Sequence, residues 1–70
     1  MSNTKIEILE ALYANYVAEE KTALANLNNY LNNAAGIGEH PDIVTESRKL
    51  VEKIGAARAN IELVTSMKQL

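Results

Sequence analysis

From Ile6 to Ala34 apolar residues recur at alternating steps of three and four: Ile6, Leu9, Tyr13, Tyr16, Ala23, Leu27, Tyr30 and Ala34, with Glu20 the one polar member of the series. The rhythm resumes downstream at Ile43, Leu50, Ile54, Ala57, Ile61 and Val64, where Ser47 and Lys68 are the polar positions. This spacing places each series on one stripe of an α-helix. Between the two runs lie Gly36, Gly38 and Pro41, two of the three glycines and the only proline. β-Branched neighbours occur only as short pairs such as Ile43-Val44, and no sustained period-two alternation marks a strand. The expected fold is therefore all-α: a single domain over 1–70 with a helix over about 5–35, a loop at 36–40 and a second helix over about 41–68. So short a connection makes the helices antiparallel neighbours in a hairpin.

End signals support these boundaries. Thr4-Lys5-Ile6-Glu7 reads as a capping box, with the Thr4 hydroxyl accepting from the Glu7 amide. Gly36 suits the left-handed residue after a helix, with Ile37 as its apolar follower. Pro41 suits the first position of helix 2, and Asp42 and Lys68 complement its dipole at the two ends.

Two helices carry more apolar surface than one mutual seam can cover. Helix 1 has Ile8, Leu12, Val17, Leu24 and Leu31 on an adjacent flank. Helix 2 has Val44 and Val51 on one flank, and Ala56, Leu63, Met67 and Leu70 on another. Gly55, Ala56, Ala57 and Ala59 form a small-residue stretch that lets another helix come close, or they simply serve as helix formers. A 70-residue chain of 7.7 kDa forms a small core at best, and it has no cysteine with which to build a disulfide. Self-association into a four-helix or larger bundle is the expected remedy.

Composition narrows the function. Seven Lys/Arg against nine Asp/Glu give a net charge of −2, the wrong sign for a dedicated nucleic-acid binder. No apolar run is long enough to span a membrane, and the first residues lack the order of a secretory leader, so a cytoplasmic location is expected. The absence of cysteine and the single histidine, His40, leave no metal cluster and no cofactor to expect. Adjacent carboxylates such as Glu19 and Glu20 diverge by about 100° on a helix and cannot share a proton. Ser2, Ser47 and Ser66 lack the surroundings of a nucleophile. No catalytic residues are assigned, and the chain reads as no enzyme.

Three features carry what binding chemistry there is. The loop Gly36-Ile37-Gly38-Glu39-His40-Pro41-Asp42 places two glycines before a helix start, as an anion cradle does. It lacks the phosphate-binding motif, and Glu39 and Asp42 repel an anion, so punctuation between helices explains it better. Asparagine is over-used, with eight in the chain and five within residues 26–33. Since it is a mediocre helix former, it suggests an uncharged hydrogen-bonding face for a partner protein or a polar ligand, or else a tolerated polar face leading into a fraying helix end. The expected partner-binding residues are Asn28, Asn29, Asn32, Asn33, Gly38, Glu39 and His40. Tyr13, Tyr16 and Tyr30 read as seam residues with wet hydroxyls. Glu20 sets pairing register by meeting Lys49, Lys53 or Arg58, or else turns outward. Arg48–Glu52 and Arg58–Glu62 are spaced as i,i+4 pairs.

The segments Tyr30-Leu31-Asn32-Asn33 and Gly36-Ile37-Gly38-Glu39-His40-Pro41-Asp42-Ile43 resemble small proteins of tailed bacteriophages, T4-like marine cyanophages among them. The likeness covers about 14 residues closely and the two-helix layout loosely. It implies a viral origin, action in the host cytoplasm and an accessory role, and it carries over no functional residues. The leading expectation is a non-enzymatic oligomeric interaction module aimed at a host defence or regulatory protein. The alternative is an oligomer that sequesters a nucleotide-like anion through Arg48, Lys49 and Lys53.

Overall fold

A computed structural model describes residues 3–37 and 41–70, with side chains over 3–33 and 42–70. Helix α1 spans Thr4–Ile37 and α2 spans Pro41–Lys68. The two pack against each other as an antiparallel hairpin, and the described residues contain no strand. Its principal extents are 57 × 16 × 13 Å, the outline of two helices side by side with no third layer. The radius of gyration of 16.2 Å far exceeds the ~11 Å of a compact 70-residue domain.

The start of α1 differs from the capping box read in the sequence. Asn3, one residue earlier, is the cap: its Oδ1 accepts the Ile6 amide at 3.3 Å and its carbonyl accepts the Glu7 amide at 3.0 Å. Thr4 is the first helical residue. Asn ranks above Thr as a cap, and the extra turn position it opens leaves Glu7 still in the first turn, favourable to the dipole. The other end of α1 is also corrected. The helix continues through Gly36 to Ile37, so these two are not its terminator and follower; a helical glycine costs only about 1 kcal/mol. Residues 38–40 lie outside those described. Helix α2 begins at Pro41 with Asp42 in its first turn. Its last turn tightens, with the Gln69 amide donating to Ser66 at 3.1 Å and Leu70 to Met67 at 3.3 Å.

The shared seam is the three-four stripe. Leu9, Ala23, Ile54, Ala57 and Val64 form the buried core, flanked by half-buried Ile6, Tyr16, Leu27 and Tyr30 from α1 and Ile43, Leu50 and Ile61 from α2. The polar members keep their places on it: Glu20 and Ser47 are half-buried, while Lys68 is exposed. Ala57 turns into this seam, whereas its small neighbours Gly55, Ala56 and Ala59 face water. Among the described residues no large side chain is fully buried.

Candidate functional site

Two antiparallel helices with one seam leave two flanks, each a groove between their shoulders. On the first flank Leu24 and Leu27 of α1 face Val51, Ile54 and Gly55 of α2 across a groove of about 290 Å³. Arg58 stands at its edge and donates from Nε to Glu20 Oε2 at 2.6 Å. The heptad repeat extends this flank to Val17 and Leu31 on α1 and to Val44 on α2. Leu31, Val44 and Val51 are exposed by 61%, 72% and 54%.

The second flank is polar along its middle and loop-proximal part. Asn26, Asn29 and Tyr30 face Glu46 and Leu50 around a cavity of about 380 Å³. Next to it, Asn15, Glu19, Thr22 and Asn26 face Leu50 and Lys53 around one of about 280 Å³. Here Lys49 Nζ lies 3.3 Å from Glu46 Oε1. Seven residues before Glu19 on the same stripe comes Leu12, and fourteen after Lys53 comes Met67, so this flank turns apolar at the open end of the hairpin. At that end Lys68 Nζ lies 5.7 Å from the centre of the Tyr13 ring, a cation–π distance. The extra apolar residues of α1 therefore do not share one flank: Val17, Leu24 and Leu31 lie on the first, Ile8 and Leu12 on the second. The heptad register separates them, since five residues turn a helix by about 140°.

The structure distributes the expected partner-binding residues. Asn33 Nδ2 donates to both the Asn29 carbonyl and Asn29 Oδ1, each at 2.8 Å, which joins these two along one stripe of the polar flank. Asn28 and Asn32 are exposed at helical angles that turn away from it. Gly38, Glu39 and His40 lie outside the described residues. The grooves add residues that the sequence reading did not single out, namely Asn26, Thr22 and Glu46; the heptad letters of the flanking positions carry that signal.

The three cations proposed for an anion do not converge within one chain. Arg48 points about 140° away from Lys53 on the same helix. Arg48 Nε lies 3.9 Å from Glu52 Oε1, and Lys49 is held by Glu46. Among the described residues no ion pair joins Arg58 to Glu62; Arg58 reaches across to Glu20 instead. No group of three His, Cys, Asp or Glu among the described residues is arranged to hold a metal ion, and no described helix is long and apolar enough to cross a membrane. What the arrangement offers chemically is an aliphatic groove on one side and amides, hydroxyls and paired charges on the other.

Fold and flanks together define an all-α helical hairpin with one apolar and one mostly polar groove. No protein-family model, curated protein or solved structure matches the chain.

Proposed function

We propose that the chain is a non-enzymatic helical interaction module that self-associates and offers its asparagine-bearing flank to a protein partner. One observation carries the reading: among the described residues the hairpin buries five apolar side chains, two of them alanines, while nine large apolar side chains stay exposed. Patches of that extent on a small protein mark an interaction surface. The polar flank suits a protein partner because its amides both donate and accept without carrying charge. The likeness of residues 30–33 and 36–43 to phage proteins supports an accessory role in an infected cell, with a host defence or regulatory protein as the target.

Sedimentation velocity of the untagged chain across a hundredfold range of concentration tests the core of this reading. The expected result is a mass at a whole multiple of 7.7 kDa that shifts toward the single chain on dilution. A single chain at every concentration overturns it.

A further inference from the structure

We infer that the first flank, the aliphatic groove of Leu24, Leu31, Val44 and Val51 with Gly55 in its exposed lining, is where a second copy of this chain docks, by a two-fold symmetric contact that leaves the asparagine flank free. The inference rests on the self-association proposed above and assigns it a surface and a partner count.

Area argues for a second copy. A compact monomer of this mass exposes about 4,300 Å², whereas the hairpin exposes 5314 Å². The surplus, about 1,000 Å² per chain, is close to the ~800 Å² that each partner contributes to a standard stable interface. One copy on one flank is therefore sufficient to bring the chain to the surface area of a compact protein.

Chemistry chooses the flank. Over its middle and loop-proximal part the second flank places Glu19, Glu46 and Lys53 beside its cavities, charges that a self-contact must desolvate. The groove of the first flank contains one charge, Arg58, already matched by Glu20. A symmetric contact sets each surface against its own image, and an aliphatic surface is its own complement where a charged one is not. Gly55 adds to this. A Cβ built there meets no atom within 4 Å, so nothing inside the hairpin requires a glycine, although it weakens the helix by about 1 kcal/mol relative to alanine. In a paired state that open position receives an aliphatic side chain of the second copy.

The test combines sedimentation with circular dichroism on Val51→Glu, Leu31→Glu and, on the opposite flank, Leu63→Glu. The expected result is a two-chain particle for the unaltered protein and for Leu63→Glu, with at least 100-fold weaker association for Val51→Glu and Leu31→Glu. Because a small chain can lose its helices along with its partner, single cysteines in this cysteine-free sequence provide a second readout. Under mild oxidation at least one of Leu24→Cys, Val44→Cys, Val51→Cys and Gly55→Cys should give a covalent dimer, and Leu63→Cys should not. Dissociation by Leu63→Glu, with Val51→Glu and Leu31→Glu still paired, overturns the assigned flank while self-association stands. An unaltered chain that never pairs overturns both.

Discussion

Arg58 of α2 reaches across the hairpin to Glu20 of α1, with Nε 2.6 Å from Oε2, and this is the one ion pair among the described residues that joins the two helices. Glu20 occupies the single polar position of an otherwise apolar series on α1. A half-buried carboxylate there finds its cation only when the helices are aligned as observed, so the pair favours one register over slipped alternatives.

Its contribution to stability should nevertheless be small. Arg58 is 62% exposed, and solvent screens the attraction. A double-mutant cycle with Glu20→Ala and Arg58→Ala, followed by urea unfolding, should give a coupling of about 0.5–1 kcal/mol that shrinks in high salt. A coupling above about 2 kcal/mol would mean the pair is drier than the structure shows.

The seam should be far more sensitive than either flank. Ile54 is 6% exposed, and Ile54→Ala should destabilise by about 2–5 kcal/mol, enough to erase the helical signal of so small a fold at 25 °C. Leu31→Ala, on an exposed flank, should change the stability of the isolated hairpin by less than about 1 kcal/mol. Thermal unfolding at low concentration separates the two, and equal losses would misplace the seam.

Overfilling tests the same seam from the other side. Ala23 and Ala57 are almost wholly buried, so Ala23→Leu should force the helices apart at a cost of about 1–3 kcal/mol. Ala56→Leu, facing water one residue before Ala57, should cost less than about 0.5 kcal/mol. The comparison needs only midpoints of denaturant unfolding, and the reverse order would contradict the burial pattern.

At the start of α1, Asn3→Ala should cost about 1 kcal/mol through loss of the Ile6 cap. Thr4→Ala, inside the helix, should be neutral or slightly stabilising because alanine is the better helix former. A larger loss at Thr4 in thermal unfolding would restore the box read from the sequence.

The hairpin was legible because its signal is redundant: fourteen apolar seam positions repeat one spacing, and polar intruders such as Glu20 and Ser47 do not disturb it. Pro41 marked the start of α2 for a similar reason, since its ring and missing N–H fit few other places. The start of α1 was ambiguous by one residue because Asn3 and Thr4 are both competent caps, and local pattern does not decide between them. Gly36 misled because glycine permits termination without enforcing it. The two flanks were readable only in part. Surplus apolar residues are visible in the sequence, but whether Leu12 and Val17 share a groove depends on which stripe is buried, and that is a property of the pair of helices. The ladder from Asn33 to Asn29 had a signal in its i,i+4 spacing, which the density of neighbouring asparagines obscured.

Antiparallel pairing also sets the order in which the hairpin closes. Tyr30 and Glu46, which line one cavity, are joined by a short stretch of chain. Glu20 and Arg58 lie 38 residues apart, and Tyr13 and Lys68 farther still. Each layer formed next to the turn shortens the loop that the next must close, so the entropic cost arrives in small steps. Closure is therefore expected to run from the loop end of the hairpin outward. The same gradient predicts the order of opening: amides near Leu9 and Val64 should exchange with solvent before those around Ala23 and Ile54, and a protease should meet the open end of the pair first.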